Sequence, residues 1–233
     1  MKPTFSLCHS TARLPHGWRK AYETWRANAD NWESCEYILA VDLADEARWP
    51  ELTGTDIRLT VNTGGQTAVD GWNESARASS GKVMITAADD MFPPPHWDTE
   101  LLKVIPDLDG EYAVEVKCGK SPEDDEWMRL MVHSIITRAY YKRIGNFFYP
   151  EYVGWYADAD FTEMARMHGV VIDARHLTFE HRHWIGGSTG MDEIYQRQVS
   201  QANSELGMGI LGRRRIEKFK GENRVFYEPT RPA

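Results

Sequence analysis

Two adjacent carboxylates, Asp89 and Asp90, follow a short apolar run and precede three consecutive prolines. The run, residues 83–86, has the length and composition of a buried strand. Open α/β sheets bind their ligands at the carboxyl ends of such strands. Magnesium and manganese ions take oxygen ligands, typically one or two carboxylates together with phosphate oxygens. The stretch therefore predicts a metal–diphosphate site, and the same residues are also typical of a solvent-exposed turn.

The composition bounds the class of protein. The chain has 233 residues, of which 42% are hydrophobic and 27% charged, as in a soluble globular protein of one large domain or two small ones. The net charge of −8 argues against a nucleic-acid-coating protein with a broad basic face. Cys8, Cys35 and Cys118 are widely spaced and odd in number, which favours a reduced, cytoplasmic setting. We expect no membrane span and no signal peptide, since no apolar run approaches about 18 residues.

The elements that must position the carboxylates alternate between strand and helix patterns, as a parallel sheet requires. A helix should follow the first strand and carry Trp18 and Trp25, and a second helix should lead to the central strand at residue 82. The predicted strands are 4–9, 36–41 and 57–61, and the second helix is 71–80.

The second half of the chain reads differently. Residues 122–145 predict one helix, because an acidic first turn and a basic last turn complement the helix dipole. Strands are expected at 112–116, 170–173 and 177–180. Gly186, Gly187 and Gly190 then predict a mobile loop before a polar, partly helical tail with the basic cluster Arg213, Arg214 and Arg215.

The first half resembles the nucleotide-sugar-binding half of a family 2 glycosyltransferase of GT-A fold. The likeness rests on a first strand with a Thr/Arg loop, a second strand ending in Asp, and the segment WNESARASSGKVMITAADDM. The family pattern is roughly N-x-G-x-x-x-A-x-G, a strand, and D-x-D. Asn73 and Gly81 keep its spacing, whereas Ser75 replaces a glycine and Ala88 replaces the first carboxylate. The resemblance implies a single α/β domain with a mixed, mostly parallel sheet flanked by helices.

Two downstream segments continue the likeness, which covers most of residues 4–215. YPEYVGWYADADF resembles the acceptor segment that opens a helix, with Ala157 where the family usually has Glu, and Asp158 corresponds to the general base. FEHRHW resembles a late histidine element, which puts His181 near the metal or the leaving diphosphate.

The resemblance implies a set of site residues. Asp90 and His181 would hold Mn²⁺ or Mg²⁺, and Asp89 would contact the diphosphate or ribose. A carboxylate at Asp42 suits the imide N–H of uracil, so a UDP-sugar donor is favoured. The full set of predicted nucleotide-sugar contacts is Thr11, Arg13, Asp42, Asn73 and Asp89. Thr11 and Arg13 also suit an ordinary loop, and Asn73 also suits a residue that only stabilises its helix.

Chemistry supports this assignment. Sugar transfer builds charge on the departing diphosphate, which a divalent metal stabilises as a Lewis acid. The acceptor hydroxyl must lose a proton to a base, and Asp158 supplies it in an inverting enzyme. Asp160 should have a structural role, such as capping the following helix, because residues i and i+2 do not share a helix face.

We therefore expect a metal-dependent, inverting, hexosyltransferase-like glycosyltransferase. Its acceptor is a glycan, lipopolysaccharide, a protein or a modified DNA base. Residues 1–95 would bind the nucleotide sugar, 96–185 the acceptor, and 186–233 would form a lid or a tail; residues 188–215 would either close over bound nucleotide or pack permanently on the sheet. A sugar-nucleotidyltransferase needs a glycine-rich loop after the first strand, which HSTARLP lacks. An inactive nucleotide-sugar-binding module is suggested only by Ala88 and Ala157.

Overall fold

The computed structural model describes residues 2–64, 67–119, 130–182, 192–198 and 200–224. These residues form a single α/β domain. The strands are β1 (Phe5–Ser10), β2 (Cys35–Asp42), β3 (Ile57–Asn62), β4 (Val83–Ala87), β5 (Met91–Phe92), β6 (Ala113–Cys118), β7 (Ile135–Thr137) and β8 (Val171–His181). The helices are α1 (Arg19–Ala27), α2 (Ala68–Ala78), α3 (Trp97–Val104), α4 (Arg138–Ile144), α5 (Ala157–Met167), α6 (Glu193–Gln198) and α7 (Gln201–Ile216).

The eight strands make one mixed sheet in the order β3-β2-β1-β4-β7-β6-β8-β5. Strands β1 to β4 are all parallel, as their alternation with helices predicts. Their register pairs His9 with Ala87 and Asp42 with Asn62, so the last residues of these strands reach the same edge of the sheet. That edge carries four of the predicted nucleotide contacts: Thr11, Arg13, Asp42 and Asp89.

The other half of the sheet contains the antiparallel strands. β7 pairs antiparallel with both β4 and β6, β6 runs parallel to β8, and β8 pairs antiparallel with β5. The prediction of one helix over 122–145 is wrong for its described part, because residues 135–137 are the strand β7 and the helix begins only at Arg138. Ile135 and Ile136 are fully buried between two strands, and this pairing outweighs the helix-like charge pattern of the segment. The two strands expected at 170–173 and 177–180 are one strand, β8.

Alternate side chains of the central strands enter two apolar layers, one on each face of the sheet. Phe5 and Leu7 of β1 join a layer rich in tryptophan, in which the rings of Trp25 and Trp97 meet edge to face with centroids 5.1 Å apart. Cys8, the residue after Leu7 in β1, joins the opposite layer under α5 and α7. The strands that lead to the carboxylates are therefore buried on both faces, which gives the site a rigid base.

The C-terminal elements lie on that second layer. Ile210 and Leu211 of α7 are buried within it. The glycines Gly186, Gly187 and Gly190 lie outside the described residues. None of the described helices has the length and apolar character needed to cross a membrane.

Candidate active site

Asp89 is held by residues at the end of β1 and in the loop that follows it. Its Oδ1 lies 3.0 Å from Nε2 of His9, and its Oδ2 accepts a hydrogen bond of 2.9 Å from the Thr11 hydroxyl. Nη1 of Arg13 is 3.6 Å from the same Oδ2. The other ring nitrogen of the fully buried His9 lies 2.5 Å from the hydroxyl of Tyr37, which fixes the imidazole from behind. The structure thus brings Thr11, Arg13 and Asp89 together, with both Asp89 oxygens in contact with the protein's own groups.

Asp90 faces His181, which the chain places ninety-one positions later. Oδ2 of Asp90 is 3.5 Å from Nε2 of His181. Pairing of β5 with β8 sets Met91 opposite His181, and the Arg182 N–H donates a 2.8 Å hydrogen bond to the Asp90 carbonyl. The separation of the two side chains is therefore determined by main-chain hydrogen bonds on both sides.

Each member of this pair changes the pKa of the other. Burial alone would raise the pKa of Asp90, but the hydrogen bond and charge of His181, with the Tyr195 hydroxyl, hold that pKa well below its usual range. Burial alone would lower the pKa of His181, but Asp90 and the Cys118 side chain outweigh it and raise the pKa to about 10. Without a bound cation, Asp90 and His181 form an ion pair at neutral pH.

The pair fits a divalent cation of the manganese or magnesium class. A carboxylate oxygen and an imidazole nitrogen are both ligands that such ions accept, and a nucleotide diphosphate supplies further oxygens. No group of three His, Cys, Asp or Glu side chains capable of holding a metal occurs in the described part of the chain. The protein would thus provide Asp90 and His181, and His181 would release its proton on binding the cation.

Asp158 stands in the first turn of α5. Its Oδ1 accepts a 2.9 Å hydrogen bond from the Ala159 N–H, and its carbonyl accepts one of 2.6 Å from the Thr162 hydroxyl. Burial raises the pKa of Asp158 above its usual value, while backbone N–H groups and the charge of His181 oppose the rise. The charge of His181 thus reaches Asp158, and the raised pKa makes Asp158 a stronger base.

The far end of the same sheet edge holds a second polar pair. Nδ2 of Asn62, at the end of β3, donates a 2.9 Å hydrogen bond to Oδ1 of Asp42, at the end of β2. Both side chains are buried, and the Trp49 indole N–H donates to the Asp42 carbonyl. The sequence analysis predicted Asp42 as a site residue but not Asn62. Asn62 has the same sequence feature, because it is a polar residue at the end of a neighbouring strand.

Two predicted residues lie outside this arrangement. The carboxamide of Asn73 makes two 3.0 Å hydrogen bonds with the backbone of Phe148, which joins α2 to the chain before α5. Its role in nucleotide binding stays a prediction. Asp160 lies within α5 rather than at its cap, and its carboxylate pairs with Arg214.

Other residues at the site carry no local sequence signal. Tyr195 donates a hydrogen bond to Asp90 Oδ2, and Asp192 accepts one of 2.8 Å from Arg13 Nε. His133 is buried, and its ring lies edge to face on that of His181 with centroids 5.9 Å apart. Burial and the charge of His181 lower the pKa of His133 to about 3, so its ring is neutral. Tertiary structure alone brings these side chains to Asp90.

Comparison with known proteins identifies the fold. No protein-family model and no curated protein matches the sequence. Among solved structures, S. aureus TarS 1–349 in complex with UDP-GlcNAc matches with a TM-score of 0.64 at 13% identity, over 94% of this chain and 67% of that one. TarS itself matches with a TM-score of 0.58 at 12% identity, and this chain spans 44% of its length. The mannosyltransferase PcManGT from Pyrobaculum calidifontis, in complex with GDP-Man and Mn²⁺, matches with a TM-score of 0.55 at 13% identity, over 91% of this chain and 74% of that one. The chain has the GT-A-like fold of a glycosyltransferase.

Proposed function

We propose that the protein is a metal-dependent glycosyltransferase that moves a sugar, of the hexose class, from a nucleotide diphosphate to an acceptor hydroxyl with inversion. One observation carries the proposal: His181 Nε2 lies 3.5 Å from Asp90 Oδ2 at the carboxyl edge of the parallel strands, within electrostatic reach of Asp158. A cation ligand pair and a base of raised pKa are the two functions that such a transfer requires.

The donor is a UDP-sugar in this proposal. The Asp42 carboxylate, at the end of β2, is oriented by Asn62 and can accept a hydrogen bond from the imide N–H of uracil. Arg13 lies on the same edge of the sheet, where it can contact the diphosphate. The solved structures agree with a nucleotide-sugar donor, since TarS was crystallised with UDP-GlcNAc and with UDP, and PcManGT with GDP-Man. The acceptor class stays open among glycan, lipopolysaccharide, protein and modified DNA base, and the cytoplasmic location stays a prediction.

Asp158 acts as the general base. It takes the proton of the acceptor hydroxyl as the acceptor oxygen bonds to the anomeric carbon, while the bond from that carbon to the diphosphate oxygen breaks. Attack opposite the leaving group inverts the anomeric configuration. Asp90 and His181 would hold a divalent cation, which would supply Lewis-acid stabilisation of the charge on the diphosphate. Arg13 adds a fixed positive charge on the same side.

The alternatives make different products. A sugar-nucleotidyltransferase would release pyrophosphate from a nucleoside triphosphate, and an inactive binding module would release nothing from a bound nucleotide sugar. The Arg13 loop contacts Asp89 and Asp192 and contains no glycine cradle for a triphosphate, which favours the transferase.

The test is release of nucleoside diphosphate. The full chain is incubated with a panel of UDP- and GDP-sugars and Mn²⁺, and UDP or GDP is quantified by chromatography, with water as the default acceptor. We expect slow, chelator-sensitive release of UDP from one UDP-sugar, and its loss in Asp90→Asn. Release of pyrophosphate from a triphosphate, or tight nucleotide-sugar binding without any hydrolysis or transfer, would overturn the proposal.

A further inference from the structure

The start of α6 occupies the groups that the proposed donor and cation need. Asp192 lies directly before α6, and its Oδ2 accepts a 2.8 Å hydrogen bond from Nε of Arg13. Three residues later, the Tyr195 hydroxyl donates to Oδ2 of Asp90, the same oxygen that faces His181. The Arg13 guanidinium carbon also lies 4.5 Å from the centre of the Tyr195 ring. Two residues of one helical turn thus contact both charged partners of the site.

These contacts match the chemistry of the proposed ligands. The Asp192 carboxylate places anionic oxygen on Arg13, as a phosphate group would. The Tyr195 hydroxyl proton takes a lone pair of Asp90 that a cation would coordinate. Tyr195 is 5% exposed, so its hydroxyl is held at Asp90 rather than sampling solvent. The Asp192 N-terminal to it is fixed as well, because its Oδ1 accepts a 2.8 Å hydrogen bond from the Tyr195 N–H.

We propose that Asp192 and Tyr195 are internal competitors for the metal–diphosphate site, and that UDP and a divalent cation bind only by displacing these two side chains from Arg13 and Asp90. The inference rests on the proposed function and adds that the protein's own side chains lower its affinity for the ligands. The apparent affinity for the ligands is reduced by the fraction of molecules in which the two contacts are made. Hydrolysis of the donor by water is reduced in the same way, because Asp192 and Tyr195 occupy the site in place of a weakly bound donor.

A ligand-binding role for Asp192 and Tyr195 predicts the opposite change in affinity. If Asp192 and Tyr195 instead contacted the bound donor or cation, their removal would weaken binding. Competition predicts that their removal tightens it. Because most substitutions at a binding site lower affinity, a gain of affinity is a specific result.

Isosteric variants separate the two roles. Asp192→Asn removes the charge but keeps a side-chain oxygen that can still accept the hydrogen bond from the Tyr195 N–H. Tyr195→Phe removes the hydroxyl and keeps the ring beside Arg13. Glu193→Gln is the matched control, because it removes an equal charge from an exposed carboxylate one position along the chain. Melting temperatures of all variants check that the fold is intact.

The measurement is isothermal titration calorimetry on the full chain, with Mn²⁺ alone and with UDP in the presence of Mn²⁺. We expect Asp192→Asn to bind UDP, and Tyr195→Phe to bind Mn²⁺, roughly threefold to tenfold more tightly than wild type, as for relief of a competing state populated several-fold over the open one. Glu193→Gln should match wild type. Unchanged or weaker binding in both variants overturns the inference. The proposed function still stands in that case if wild type binds UDP and Arg13→Gln abolishes this binding. Absence of UDP and Mn²⁺ binding in wild type and every variant contradicts the proposed function, and the inference falls with it.

Discussion

The guanidinium of Arg214 forms a two-pronged ion pair with the carboxylate of Asp160. Nε lies 2.6 Å from Oδ2 and Nη2 lies 3.0 Å from Oδ1, and the two side chains are 2% and 1% exposed. Tyr152 donates a further hydrogen bond to Asp160, and the Asn223 carboxamide oxygen accepts one from Arg214. The pair therefore fastens α7 to α5, the helix that carries Asp158.

Breaking this pair should destabilise the whole domain. Arg214→Met leaves a buried carboxylate without its counter-charge, so we expect the free energy of unfolding to fall by about 3–5 kcal/mol. Urea denaturation followed by tryptophan fluorescence measures it. Arg213→Gln is the control, since Arg213 pairs with Glu151 at the surface and should change stability by less than about 1 kcal/mol. Equal effects of the two substitutions would contradict the role of the buried pair.

Asp90→Asn should remove the dependence of nucleotide binding on manganese. The amide keeps the shape of the carboxylate but is a poor ligand for a hard cation, so UDP should bind equally weakly with Mn²⁺ and with chelator. Calorimetric titrations under both conditions give the answer. Asp109→Asn, which changes a side chain that is 75% exposed, should behave as wild type. Manganese-dependent binding that persists in Asp90→Asn would place the cation elsewhere.

Asp158→Asn should spare donor binding and slow transfer roughly 10²–10⁴-fold, the usual loss for a general base. Because burial raises the pKa of Asp158, the wild-type kcat/KM should fall as the pH falls through a value above that of an ordinary aspartate. A base works only when deprotonated, so activity is retained above this pKa and lost below it. The residual activity of Asp158→Asn should lack that acidic limb. An unchanged pH profile in the variant would assign the proton transfer to another group.

Asn62→Ala should weaken recognition of the nucleobase alone. The lost hydrogen bond leaves Asp42 less well oriented, so we expect UDP to bind roughly 2–10-fold more weakly, the effect of about 0.5–1.5 kcal/mol. Inorganic pyrophosphate with Mn²⁺ contains no base, and its affinity should not change. A parallel loss for UDP and pyrophosphate would mean that Asn62 acts on the site as a whole.

Local sequence patterns predict β2 and β4 because each is a short apolar run with a carboxylate at or just after its end: Asp42 ends β2, and Asp89 and Asp90 follow β4. The same reasoning fails at residues 135–137, because the charge pattern of the longer segment resembled that of a helix. The outcome depended on pairing with β4 and β6, which lie outside that segment. Pairing of this kind is a property of the assembled sheet.

The candidate site divides in the same way. Asp89, Asp90, Asp158 and His181 could be named from sequence motifs, because the first two follow a strand, Asp158 lies in the first turn of a helix and His181 ends a strand. Asp192 and Tyr195 could not, since their contacts span 179 and 105 positions of sequence. No local sequence pattern specifies which distant side chain will form a hydrogen bond with a given carboxylate or guanidinium group.

The β5–β8 ladder and the Arg182 N–H bond to the Asp90 carbonyl determine where the Asp90 and His181 side chains start, independently of what those side chains are. In the proposed cation site, the backbone would thus set the spacing of the two ligands and the side chains would set their chemistry. A single substitution at either position would therefore change the cation that the proposed site prefers without altering the backbone. His181→Asp would present two carboxylates and shift the preference towards the harder Mg²⁺, whereas His181→Cys would shift it towards Zn²⁺.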